Sequence, residues 1–169
     1  DGENANAALL VTINPADFPY EGTLGGVKWQ REIEEKAYKV SGSYRAPAQL
    51  VGDFLAGRPS TGAGSIQPTY RPGVHWCDLH QVLPEKITRA IGEALPQLDG
   101  KLKGYADADA VMTAPETRSS SPVRIIRDET RQSAIRGLYP TGEGAGYAGG
   151  IVSAAVDGIR IAEAVAVAE

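Results

Sequence analysis

The feature that most constrains this chain is the stretch LYPTGEGAGYAGGIVSAAVDGIRIAEAV, Leu138 to Val165. A short apolar lead-in enters a cluster of glycines, and a segment rich in Ala, Val and Ile leaves it. Small residues let a backbone come close to a ligand, and the free N–H groups in the first turn of a following helix carry partial positive charge. Gly144, Gly146 and Gly149 keep the G-x-G-x-x-G spacing, after a strand-like GLY at 137–139 and before a helix expected from Gly150 to about Val167. A dinucleotide-binding unit continues with a second parallel strand bearing an acidic residue about 20 residues on. The sequence ends at Glu169, so no complete βαβ unit is expected after the glycines. The competing use of such glycines is tight helix packing alone.

Bulk properties narrow the partners. The 169 residues carry a formal net charge of -4, with 42% hydrophobic and 22% charged residues, as in ordinary globular chains. No basic block appears, which argues against nucleic acid. The longest apolar run, Ile161 to Ala168, is broken by Glu163 and is too short to span a bilayer. The opening DGENANAALL lacks the basic region of a secretory signal. Cys77 is the single cysteine, so no internal disulfide forms and a reducing, cytoplasmic setting is expected. An opening Asp1 rather than Met suits a chain that is processed or part of something longer.

Patterning predicts an α+β fold. Ala7–Ile13 reads as a buried strand ending in the Asn14–Pro15 turn. Trp29, Ile33, Ala37 and Val40 form one apolar stripe on a helix over Gly26–Val40, whose remaining faces are charged. A shorter helix is expected over Ala48–Leu55, with Pro47 at its start and Gly57 past its end. Gly57–Gly73 is a long Gly/Pro/Ser/Thr loop of the kind often functional or mobile. Ile87, Ile91, Ala94, Leu95 and Leu98 share a helix face between Pro84 and Gly100. DAVMTA and SPVRIIRD read as strands, the second turning Val123, Ile125 and Ile126 toward a core. The last helix is apolar on most sides, its polar stripe being Ser153, Asp157 and Arg160, and such a helix is expected to be surrounded by protein.

Three motifs carry chemistry. Glu143, between Gly142 and Gly144, can accept hydrogen bonds from ribose-like hydroxyls or serve as a helix-capping acid. PETRSSSPVRIIRD sets Ser119, Ser120 and Ser121 between Arg118 and Arg124, which suits an anionic or polar ligand, or else a turn before an exposed basic strand. HWCDLH holds His75, Cys77, Asp78 and His80, but no second ligand pair supports a zinc site, so no metal is expected. No G-x-S-x-G elbow or cysteine-protease signature backs a hydrolase.

Taken together, PETRSSSPVRIIRD and GLYPTGEGAGYAGGIVSAAVDGIRIAEA resemble the C-terminal region of a family of FAD-dependent dehydrogenases within the glutathione-reductase-like, NAD(P)/FAD-dependent flavoprotein superfamily. NANAALLVTI, APAQLVGDFLAG, PTYRPGV and LPEKITRAIGEAL resemble the stretches that precede that end, so the likeness covers nearly the whole chain. It implies an inserted, substrate-type α+β domain over residues 1–110 and, over 111–169, the closing strand-loop-helix of an FAD domain whose ADP-binding half lies elsewhere. It further implies that Gly142, Glu143, Gly144, Ala145, Gly146, Tyr147, Gly149, Gly150 and Ile151 lie along FAD, with Glu143 the polar contact. Thr117, Arg118, Ser119, Ser120 and Ser121 would line the same cleft, Ser119 standing where relatives commonly carry Thr. The longer parent would be an oxidoreductase acting on a small molecule, and this chain alone would bind FAD poorly and be inactive. With its last helix lacking the sheet it should pack on, apolar surface would be exposed, and self-association or a flexible C-terminal segment is expected. The alternative is a free-standing, non-redox module that uses the glycine-rich helix start for an anionic ligand. No catalytic acid or base can be named from the motifs.

Overall fold

The computed structural model describes residues 4–168. It is α+β, as the patterning predicts, and packs as two compact units: Asp1–Ile13 with Arg31–Pro115, and Asn14–Gln30 with Glu116–Glu169. The boundary falls inside helix α1, Gly25–Ser41.

In the first unit, strand β1 (Ala46–Leu50) lies between β2 (Val74–Trp76) and β3 (Val111–Thr113) in a mixed sheet of order β2-β1-β3. The β1–β2 pair is parallel, with Ala46 opposite Val74, and β1–β3 is antiparallel, with Leu50 opposite Val111. Helix α2 (Val51–Leu55) follows β1 directly, and α3 covers Glu85–Lys101. The core gathers Val51, Phe54, Cys77, Leu79, Ile91 and Leu95. Ile33 and Ala37 of α1 are buried and Trp29 and Val40 half-buried, as the stripe predicts, while Lys36–Glu32 pairs at 2.9 Å on the solvated face.

The expected helix over Ala48–Leu55 is half strand. Ala48 O accepts from Cys77 N–H at 2.9 Å and Gly52 N–H donates to Ala108 O at 3.0 Å, so the Gly52-to-Ala48 bond of a helix starting at Ala48 cannot form. Leu50 N–H, taken by Ser60 Oγ at 2.8 Å, still belongs to the strand, and the helix begins at Val51. Pro47 lies opposite His75 in β1–β2 and one step beyond the last β1–β3 pair, Ala48 with Thr113, where its carbonyl accepts from Ala114 N–H at 3.1 Å and the ring can return no bond. Buried Gln49 fixes the strand further: its Oε1 accepts from Leu79 N–H at 2.8 Å and its Nε2 donates to Arg58 O at 2.7 Å. Ala7–Ile13 alternates as a strand should, with Leu9 and Val11 against the core, but it pairs with no sheet edge and remains irregular. Gly100 lies inside the last turn of α3 rather than past its end, and Pro96 is accommodated within that helix. The 57–73 loop has no regular element, yet it is tacked down through Ser65, whose N–H and Oγ both reach Asp109 Oδ2, at 3.0 and 2.8 Å.

In the second unit, Phe18 meets Trp29 edge-on at 5.9 Å, and Gly26 leaves no room for a Cβ between Phe18 and Pro122. Helix α4 runs from Ile151 to Ala166. No strand is found in this unit among the described residues, which corrects the readings of GLY at 137–139 and of SPVRIIRD. In the latter, Ser121 Oγ donates to Val123 O at 2.8 Å and Tyr147 Oη to Ile125 O at 3.1 Å, so side chains occupy carbonyls a sheet would need. Val123 is half-buried, but Ile125 and Ile126 are exposed rather than core-facing. The last helix is only partly covered by the described residues: Asp157 and Ile161 are buried, while Ile151, Val152, Val156 and Ile159 face outward.

Candidate functional site

The glycine segment is a compact turn built on two left-handed glycines, Gly142 at φ +69° and Gly146 at +82°. Gly146 N–H donates to Glu143 O at 2.9 Å and Tyr147 N–H to Gly142 O at 3.0 Å, which closes the turn. At Gly146 a Cβ would meet Val123 O at 2.5 Å, so both its φ and its surroundings demand glycine. Gly144 and Gly149 differ: nothing stands within 4 Å of where their side chains would be.

The serine-arginine segment lies against this turn. Ser121 Oγ reaches Gly144 O at 3.2 Å, Ile125 N–H donates to Ala145 O at 3.1 Å, and Arg124 Nε donates to Gly146 O at 2.9 Å. The two motifs that stand apart in sequence thus meet through Ser121, Arg124 and Ile125. Ser119 is half-buried and Ser120 exposed, and neither bonds to the glycine turn. Thr117 offers its main-chain carbonyl to Gln30 Nε2 at 2.7 Å, and Arg118 is exposed. The half-buried Glu143 carboxylate makes no hydrogen bond or ion pair among the described residues, so it is open to a polar partner.

Beneath the turn sits a pair that reading the motifs missed. Arg127 Nη2 donates to Asp157 Oδ1 at 2.6 Å and Nη1 to Oδ2 at 3.0 Å, with side-chain exposures of 9% and 10%. Asp157 Oδ2 also accepts from Gly142 N–H at 2.9 Å and Thr141 Oγ1 at 3.2 Å, and Arg127 Nη1 donates to Pro140 O at 2.8 Å. The Arg127 hydrogen bonds, helped by Gly142 N–H, hold the Asp157 carboxyl far below the ordinary carboxylate range, and the same pairing raises the guanidinium. Arg127 stacks over the Tyr147 ring at 3.6 Å, with Arg124 at 5.0 Å. The available signal was a lone inward-facing acid in an otherwise apolar helix.

At the start of α4, the N–H groups of Gly149 through Ser153 donate to nothing among the described residues, and Ile151 is 92% exposed. Open glycine faces beside unpaired N–H groups are what close approach of a phosphate- or carbonyl-bearing group requires. The second cluster behaves otherwise. His80 Nδ1 lies 2.7 Å from Asp78 Oδ1 and its ring stacks on Phe54, while burial pushes the Cys77 thiol up. Among the described residues no three His, Cys, Asp or Glu side chains form a metal-holding group. No described helix is long and apolar enough to cross a membrane.

A small mixed-sheet unit followed by a glycine turn that feeds the open N-terminus of a long helix defines the class: an α+β chain presenting bare main chain at a helix start. The sequence profile described as "FAD-dependent protein, C-terminal domain-like" matches residues 1–119, and the chain belongs to that family. The profile stops short of the glycine segment. A Clostridium beijerinckii protein bearing only the name "Uncharacterized protein" is 49% identical over 165 residues, covering 96% of this chain, glycine segment included, and 31% of its own length. The chain thus spans about a third of that relative.

Proposed function

We propose that this chain is the C-terminal part of an FAD-dependent oxidoreductase of the glutathione-reductase-like superfamily, in which the segment from Gly142 to Ile151 lies along the flavin and its ribityl chain. Residues 1–110 would form the inserted unit that shapes a small-molecule substrate pocket, and residues 111–169 would close the FAD domain; the outer limits of that division, Asp1 and Glu169, lie outside the described residues. The observation that carries the reading is the open start of α4: five unpaired N–H groups behind glycines whose faces are clear, in a chain of an FAD-dependent family.

Bound FAD would supply reversible two-electron transfer. The chain's own residues do the rest. Gly144, Gly149 and Gly150 admit the ligand to the backbone, and the N–H groups of Gly149 through Ser153 stabilise negative charge at the helix start. Glu143 accepts from sugar-type hydroxyls. Ser121 and Arg124 set the far side of the turn. The relative, more than three times as long, supports an ADP-binding half outside these residues. A cytoplasmic location, weak FAD binding by the isolated chain and its self-association through the apolar face of α4 belong to the same reading.

The test is to purify the longer polypeptide that carries this chain and record its visible spectrum. Copurified flavin, absent when the isolated chain is mixed with FAD, supports the reading. A colourless long form, or tight stoichiometric binding by the chain alone, contradicts it, the second outcome favouring a free-standing module.

A further inference from the structure

We propose that Asp157, acting with Arg127, is a positioning residue that sets where the glycine segment presents its main chain without meeting the ligand itself; this rests on the flavin reading of that segment. The Asp157 side chain is 10% exposed and its carboxylate already accepts four hydrogen bonds from the protein, so it serves the segment rather than a ligand. All four of its hydrogen bonds go to the neighbourhood of the turn: two from Arg127, one from Thr141 Oγ1 and one from Gly142 N–H. None goes to the body of the helix. Glu163, the helix's other acid, is exposed.

The turn is gripped at both ends by one ion pair. Gly142 is held by the Asp157 carboxylate, and Tyr147, whose N–H closes the turn onto Gly142 O, lies under the Arg127 guanidinium. Arg127 also fixes the approach through Pro140 O. Between those grips the Gly144, Ala145 and Gly146 carbonyls are held by Ser121, Ile125 and Arg124. An apolar pair of similar size could pack α4 but could not direct Gly142 N–H, which is the use of a buried ion pair that geometry, rather than stability, explains.

The test uses the flavin-loaded longer polypeptide and compares Asp157→Asn with Ile161→Ala, which weakens the packing of α4 through another buried side chain one helical turn further along. Asp157→Asn should weaken FAD binding about tenfold, the worth of one misplaced charge-assisted hydrogen bond, and change the visible circular dichroism of the bound flavin. Ile161→Ala should lower the melting temperature and leave both unchanged. Unaltered dichroism and affinity in Asp157→Asn, or the same losses in Ile161→Ala, would overturn the proposal. If Asp157→Asn does not fold, Thr141→Val carries the comparison, with a smaller dichroism change expected and none overturning it. If the wild type holds no FAD, the flavin reading fails separately, and amide exchange decides the positioning claim. Faster exchange at Gly142 and Tyr147 in Asp157→Asn than in Ile161→Ala supports it, and equal rates overturn it.

Discussion

Arg127 and Asp157, thirty residues apart, meet at two points, 2.6 and 3.0 Å, under the glycine turn, and the same carboxylate holds Gly142 N–H at 2.9 Å. A pair this enclosed cannot lose one member cheaply. Asp157→Ala should destabilise the chain by about 3 kcal/mol, because it strands a guanidinium and a main-chain N–H. Denaturant unfolding checks this, and the double variant Arg127→Met with Asp157→Leu should recover part of the loss.

The pair also predicts a pH signature. The folded Asp157 carboxyl is held far below its unfolded value, so its contribution is complete above the unfolded carboxyl range, about 3.9. It is lost as pH falls from there toward the folded value. The stability gap between wild type and Asp157→Asn should therefore be flat from neutral pH to about 5 and narrow below about 4. A gap that widens on acidification would contradict the assignment.

Gly146 and Gly144 should separate shape from approach. Gly146→Ala forces a side chain at φ +82° into Val123 O and should cost about 2 kcal/mol. Gly144→Ala meets nothing and should stay within about 0.5 kcal/mol of wild type. In the longer polypeptide the methyl at Gly144 should nonetheless weaken FAD retention. Thermal unfolding and flavin content read the two effects independently.

Gln49 is the corresponding pin of the first unit. Gln49→Leu keeps the volume but leaves the buried Leu79 N–H unpaired and removes the donor to Arg58 O, and should cost about 2 kcal/mol. Ser60→Ala should act in the same direction, since Ser60 Oγ serves both Leu50 N–H and Asp53.

Helix α4 presents Ile151, Val152, Val156 and Ile159 outward. The isolated chain should show a concentration-dependent mass in light scattering, and Val152→Lys with Ile159→Lys should return it toward monomer. A clean wild-type monomer at all concentrations would count against self-association.

Much of this was legible from residues alone, where local physics decides the outcome. The stripes of α1 and α3 and the start of α4 follow from helical periodicity and from glycine and proline placement. The 46–50 strand was not legible, because Ala, Pro and Gln have no strand preference and only Ser60, Leu79 and Ala110 decide it from afar. The same holds for 121–128, where Ser121, Arg124 and Tyr147 bond carbonyls and override an apolar alternation. The glycine turn was readable as a place of close approach. Its support was not, since Arg127 sat in an expected strand and Asp157 in an expected polar stripe.

The central claim is that the start of α4 faces FAD, and amide hydrogen exchange in the longer polypeptide, with flavin and after its removal, tests it most directly. The account predicts that FAD slows exchange at Gly149 through Ser153 about tenfold or more, because these N–H groups have no partner among the described residues. Exchange there that is unchanged while FAD binds would contradict it.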